Sequence, residues 1–297
     1  MELWIIATLC AAGFQTLRFM LQKFLATGGL SATGNAFARF AYAQPFALAV
    51  LGLYLWVTGA QLPLPIGAFW AWGALGGLAQ ILATIFVVMT FSERNFAVGI
   101  TLKKTEAMQA ALLGLVLLGD NMPLAGWLAI GIGLFGVLLL SGKVGRFRDG
   151  LKSRAMIWGL GSGFFFAISG VSYRAATLEV PSEDPFLRAA LSLVGVSLMQ
   201  AVVLALWLRW REPEQIASVL QAWRVALWMG LLSMGGTLGW FTAFTLQSAA
   251  YVKALGQVEL LFSLAVSVLV FRETVTRREV AGMGVLCLSI LLLVFLV

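Results

Sequence analysis

Lys103, Lys104 and Glu106 fall within four positions of the stretch GITLKKTEAMQAALLG, residues 99–114, with apolar residues on both sides. Further along, YVKALGQVELLF carries Lys253, Gln257 and Glu259. Ammonium and carboxylate groups set this closely can hold an anion and an amine together, or take up and release a proton. On a solvated surface they would need no explanation. Inside an apolar run, each ionisable group costs ~2.5 to 3.5 kcal/mol at the centre of a membrane-spanning helix. Such groups must face protein or water rather than lipid, and a polar central cavity meets that demand for all of them.

More polar side chains lie in comparable apolar runs: Gln15 and Arg18, then Arg39, Tyr42 and Gln44, then Gln80, Gln109, and Tyr173 with Arg174. The candidate substrate-binding set is therefore Lys103, Lys104, Glu106, Gln109, Lys253, Gln257, Glu259, Gln15, Arg18, Gln80 and Tyr173. Glu106 and Glu259 are the candidates for coupling. On a regular helix Lys103 and Glu106 share nearly one face and can pair, Lys104 points elsewhere, and Lys253 and Gln257 lie one turn apart. The competing reading is structural: a buried pair can simply fix helix register. Arg18, Arg174 and Arg188 sit nearer the ends of their runs, where a long side chain can snorkel to the interface. Trp240 and the run Phe164 to Phe166 read as packing.

The elements that must position these groups follow from composition. The 297 residues are 61% hydrophobic and 11% charged, with a mean hydropathy of +0.94, far from the balance of soluble domains. Apolar runs of about 20 residues recur, the length a helix needs to cross ~30 Å of hydrocarbon. Spans are expected at 3–23, 33–58, 67–91, 96–118, 124–141, 155–177, 185–208, 223–246, 250–271 and 279–297. The fold class is an all-α integral membrane protein of ten transmembrane helices, with no room for a soluble domain. The net charge of +7 reads as basic loops beside a membrane, not as a nucleic-acid surface. Histidine is absent, and the two cysteines, Cys10 and Cys287, lie in apolar runs. No metal site, disulfide framework or cofactor is indicated. Neither a phosphate loop of the form GxxxxGK[ST] nor a catalytic HExxH or GxSxG occurs, so the chain is not expected to be an enzyme or an ATP-driven pump. The start MELWIIATLC lacks a basic leader and reads as a retained first span.

The basic stretch GKVGRFRDGLKSR, residues 142–154, divides the chain into halves at 1–141 and 155–297, each of five spans. A shift of 153 positions aligns Glu106 with Glu259, Asp120 with Glu273 and Gly131 with Gly284. An odd number of spans per half sets two repeats in opposite orientation, a plan common among secondary transporters. Lys and Arg gather on one side of the spans, from Lys23, Arg94 and the 142–154 loop to Arg209, Arg211, Arg224 and Arg272. That side should be cytoplasmic, with both termini outside. The segment 211–223 suits either an interfacial helix begun by Pro213 or a solvated loop. Gly73 with Gly77, Gly159 with Gly163, and Gly235 with Gly239 have the spacing that lets helices approach closely.

On the stretches FSERNFAVGITLKKTEAMQAALLGLVLLGDNMPLAGWLAIGIGLFGVLLLS and LQSAAYVKALGQVELLFSLAVSVLVFRETVTRREVAGMGVLCLSILLLV, the chain resembles the drug/metabolite transporter superfamily, in its ten-helix type with two EamA-like repeats. Glu106 and Glu259 match its mid-helix positions, Gly119 with Asp120 its first acidic turn, and Arg272 with Glu273 its second. The resemblance implies two inverted five-helix repeats around a central cavity, and a multi-pass protein of the bacterial inner membrane. It implies no cofactor and a small-molecule substrate, and a monomer can suffice. Many bacterial members of this type have both termini in the cytoplasm, opposite to the charge bias of this chain. The expected function is a secondary transporter exporting small polar metabolites such as amino acids by alternating access. The alternatives are an organic-anion or phosphate-ester exchanger of the same fold, a membrane-embedded enzyme, or a channel.

Overall fold

A computed structural model describes residues 2–65, 67–91, 103–140, 154–262 and 277–296. Among these, the regular structure is helical throughout: α1 (Leu3–Thr27), α2 (Ala32–Thr58), α3 (Ala68–Phe91), α4 (Glu106–Leu118), α5 (Leu124–Leu140), α6 (Arg154–Leu178), α7 (Pro185–Arg211), α8 (Pro213–Gln221), α9 (Trp223–Leu246), α10 (Ala249–Leu255) and α11 (Arg277–Leu296). Six of them, α1, α2, α3, α6, α7 and α9, are long and apolar enough to cross a membrane. The expected opening of the fourth span, Arg94, the connecting loop as far as residue 153, and the turn with Arg272 and Glu273 lie outside the described residues.

Local sequence sets the helix ends. Ser31 caps α2, its hydroxyl accepting from the Gly34 amide at 3.0 Å, which satisfies one of the donors every helix start leaves open. Asp184 does the same for α7, accepting from the Phe186 amide at 2.9 Å, with Pro185 in the first turn where its missing N–H costs nothing. Gly119, at φ 68°, closes α4, and the Asp120 amide returns to the Gly114 carbonyl at 3.2 Å. The left-handed conformation there favours glycine. Segment 213–221 is a helix, α8, so of its two readings the solvated loop is excluded. Gln215 on α8 accepts from the Ser31 amide at 2.8 Å and so ties α8 to the start of α2.

The chain forms two compact units. Unit 1 holds residues 1–81 and 172–246; unit 2 holds 82–171 and 247–297. Each draws on both halves of the sequence. In unit 1, α9 packs on α1, α2 and α7, and α7 packs on α2. The expected small-residue approaches are there. Gly73 and Gly77 lie against Val196, Met199 and Gln200 of α7, and Gly235 and Gly239 against Phe14, Ala7 and Ala11 of α1.

In unit 2, α5 pairs with α11 and α4 with α10. The α5–α11 contacts are reciprocal under the 153-residue shift. Gly133 lies against Ser289 and Gly136 against Leu286, and these are the same pair of positions exchanged between the halves. Likewise the Ser289 hydroxyl bonds the Ala129 carbonyl at 2.6 Å, while Gly136 faces the Gly282 carbonyl. As α5 residues ascend, their α11 partners descend, so the helices are antiparallel. Reciprocal antiparallel contacts are the signature of a twofold axis perpendicular to the helices.

A Cβ added to Gly136 would stand 2.8 Å from the Leu286 nitrogen and 3.1 Å from the Gly282 oxygen, both backbone atoms that cannot step aside. Gly136→Ala is therefore expected to lose about 1 to 3 kcal/mol, read as a lower unfolding midpoint in detergent. Gly131→Ala meets nothing within 4 Å among the described residues, so it should be neutral or raise the midpoint through helix propensity. Equal effects from the two variants would refute this packing.

Candidate substrate site

The charged stretches of both halves depart from regular helix where the chemistry sits. Lys103 is helical, Lys104 and Thr105 form a turn, and α4 begins afresh at Glu106. Under the same shift, α10 ends at Leu255, Gly256–Val258 is a 3-10 turn, and α geometry resumes at Glu259. Such breaks strand backbone carbonyls. One is met across the pair: Gln257 Nε2 donates to the Lys104 carbonyl at 3.2 Å. α6 closes against the first break at Gly163, where a Cβ would come 2.9 Å from the Lys103 carbonyl oxygen.

Lys104 Nζ lies 3.4 Å from Glu259 Oε2, both side chains almost fully buried. The expectation of a regular helix through these residues is thus corrected, while Lys104 does turn away from the Lys103 and Glu106 side, as expected. The turn resets the periodicity, and Lys104 reaches the glutamate of the other half. Lys103 and Lys253 both approach the Phe166 ring, with Nζ 4.8 Å and 5.4 Å from its centroid, a cation–π arrangement. Lys103, Lys104 and Gln257 are each 4% exposed, and Glu106 and Glu259 7%. Among the described residues, two buried acceptors in this group have no hydrogen-bond donor: Glu106 Oε2 and Gln257 Oε1. Gln257 also lines a cavity of about 10 Å³ with Lys104, Thr105 and Ser289, room for about one water. Gln109 donates to the Thr105 hydroxyl at 2.7 Å and so braces the turn.

The remaining candidates lie in unit 1, in two hydrogen-bonded groups. Arg18 donates to Gln22 at 2.5 Å and to Gln15 at 3.4 Å, and Trp240 donates to Gln15 at 3.2 Å. Tyr173 donates to Gln80 at 3.1 Å. Gln200 joins this second group, its amide reaching the Gly77 carbonyl at 3.1 Å and Gln80 at 3.0 Å. Arg174 is held by the Phe244 carbonyl at 3.0 Å and Arg188 by the Ser182 carbonyl, so both serve as backbone anchors. Sequence reasoning passed over Gln200, although a glutamine amid LMQAVV carries the same signal as Gln80. Phe166 gave no signal, because one phenylalanine of an apolar helix looks like any other. Trp240, read as packing, makes a polar contact as well.

The EamA-like transporter family matches residues 153–295, from the start of α6 to the last turn of α11. Over this segment the chain is similar to that family. EamA-like proteins are part of the drug/metabolite transporter superfamily, as the sequence resemblance implied. With six helices long and apolar enough to cross a membrane, the chain reads as a multi-pass membrane protein. No curated protein matches it. A protein of known crystal structure, 14% identical, aligns over 99% of this chain and 96% of its own with a TM-score of 0.70. That likeness concerns the fold alone.

The EamA-type charges are unequal in their partners, and this has a measurable consequence. Glu259→Gln leaves the buried Lys104 ammonium without its counter-charge, a loss of about 3 to 5 kcal/mol expected as a clear fall in the unfolding midpoint. Glu106→Gln removes a carboxylate that also has an undonated oxygen and lacks a direct ion-pair contact among the described residues, and should lower the midpoint less. Detergent-phase melting of both variants decides it, and equal destabilisation would contradict the assignment.

Proposed function

We propose that the protein is a secondary transporter that exports small polar metabolites, amino-acid-like zwitterions foremost, by alternating access. The observation that carries this reading is the buried Glu106 carboxylate, with one oxygen lacking a donor, beside three lysines and a second, ion-paired glutamate. Such an acceptor gains from a donor, since a buried polar group without its hydrogen bond costs about 1 to 3 kcal/mol, more when charged. A substrate ammonium or a proton fills that place. Lys103, Lys104 and Lys253 attract the substrate's carboxylate, while Glu106 and Glu259 hold the amine or exchange a proton. Gln15, Arg18, Gln80 and Tyr173, in unit 1, supply further polar contacts to the substrate. The burial of the cluster fits an occluded state of the cycle.

In this reading the chain has ten transmembrane helices in two inverted repeats, 1–141 and 155–297, joined by the basic loop 142–154. The reciprocal α5–α11 contacts support it, because a twofold axis perpendicular to antiparallel membrane helices lies in the membrane plane. The lysine and arginine bias favours both termini outside the bacterial inner membrane. A monomer suffices, no cofactor is needed, and the chain does no chemistry on its cargo.

A second reading, an organic-anion or phosphate-ester exchanger, is favoured by the excess of lysine over glutamate in the cluster and by the two lysines on Phe166. Counterflow in proteoliposomes against labelled zwitterions, organic anions and phosphate esters separates the two. Glu106→Gln is expected to abolish uptake of zwitterions while the protein stays folded, with a smaller fall in midpoint than Glu259→Gln. Unchanged uptake would remove Glu106 from the mechanism, and linear, non-saturating flux would replace the transporter with a channel.

A further inference from the structure

Where α7, α8 and α9 follow one another, arginines and tryptophans concentrate. Arg211 lies over the rings of Trp207 and Trp210, at 5.9 Å and 5.1 Å. Arg224 lies 5.5 Å from the centroid of Trp223. Trp207, Trp210, Trp223 and Trp228 are 45 to 72% exposed. Rings of this kind mark the headgroup level of a bilayer. From Arg224 an open groove of about 520 Å³ runs between α2 and α9, lined by Phe46, Trp223, Leu227, Trp228 and Leu231. Apart from Arg224 its walls are aromatic and aliphatic. Among the described residues no carboxylate pairs with that guanidinium.

We infer that this groove holds an anionic phospholipid, its phosphate on Arg224 between the indoles of Trp223 and Trp228 and an acyl chain along Phe46, Leu227 and Leu231. The occupant follows from charge and polarity together. A cation fixed at headgroup level calls for an anion, and the apolar trough leading away from it calls for a hydrocarbon tail. A free phosphate would leave the trough empty. A zwitterionic lipid would bring its own cation to a site that already has one. Guanidinium also suits phosphate oxygens better than an ammonium does, through its planar fork of donors. The end of the spans that carries Arg209, Arg211 and Arg224 is the basic one, and basic residues face the anionic cytoplasmic leaflet. Because α8 is tied to α2 by Gln215 and packs on α7 and α9, the lipid would sit beside a fixed corner of the bundle.

The test places p-benzoylphenylalanine at Trp228 in full-length protein, reconstituted in equimolar phosphatidylglycerol and phosphatidylcholine, and counts lipid adducts by mass spectrometry after illumination. Phosphatidylglycerol should exceed phosphatidylcholine roughly fivefold, the factor that ~1 kcal/mol per basic residue near the membrane surface represents. Arg224→Gln in the same protein should bring the ratio to about one, while Arg224→Lys should keep most of it. The same cross-linker at Trp56, 80% exposed at the other end of α2, should capture both lipids equally. Three results would overturn the inference: a ratio indifferent to Arg224→Gln, the same enrichment at Trp56, or adducts to a second copy of the chain in place of lipid. Both positions are exposed, so folding is expected to survive, and an unchanged unfolding midpoint verifies it for each variant.

Discussion

The ion pair between Lys104 and Glu259 is the constraint around which unit 2 is arranged. Each charge, taken from water alone, carries a desolvation penalty of several kcal/mol. At 3.4 Å the two offset one another, provided α4 and α10 are held in contact and the surrounding backbone is satisfied. The turn at Lys104 and Thr105 and the 3-10 turn at Gly256–Val258 bring the side chains into register. The Gln257 amide then satisfies the Lys104 carbonyl left by the first break. Gly163 lets α6 close over it. Without the pair, neither the breaks nor the close approach of α6 would have a compensating gain.

Lys104 and Gln257 occupy the same place in the two halves under the 153-residue shift. They touch each other, as positions near the axis of the proposed inverted repeat would. Two lysines at such a place would set like charges together, and two glutamines would take from Glu259 the ammonium at 3.4 Å. One of each gives Glu259 its counter-charge and supplies a neutral donor for the carbonyl opposite. The α5–α11 pair repeats the symmetric theme without charge: Gly133 and Gly136 thin one helix where Leu286 and Ser289 fill the other.

Much of this was legible in the primary structure, and the failures have physical causes. Hydrophobic run length located the helices well. The span expected at 185–208 is α7, Pro185–Arg211, and that expected at 223–246 is α9, Trp223–Leu246, because lipid forces backbone polar groups into helices wherever an apolar run is long enough. The glycine pairs marked real helix contacts. The set of buried charged residues was legible too, since ionisable groups in apolar runs are few. Their pairing was not. It depended on two helix breaks that no proline announces, which bring Lys104 to Glu259 of the other half. Phe166 and Gln200 acquire their roles only from tertiary neighbours, Phe166 from lysines of both halves and Gln200 from Gln80 and Tyr173.

A symmetric backbone with an asymmetric charge set has a consequence for transport of the kind proposed. Were both glutamates paired, the cluster would be a static brace with no group left to answer a ligand. Were both open, two buried carboxylates would each lack a donor, at a cost hard to reconcile with a stable bundle that must also insert in lipid. The Lys-for-Gln difference at the axis leaves one of each. Glu259 keeps the two halves together through Lys104, while Glu106, at the corresponding place in the other half, retains an oxygen without a donor. In the proposed transporter that division would separate holding the structure from engaging the cargo, so that the charge state of one carboxylate could change while the pair that positions it stays intact.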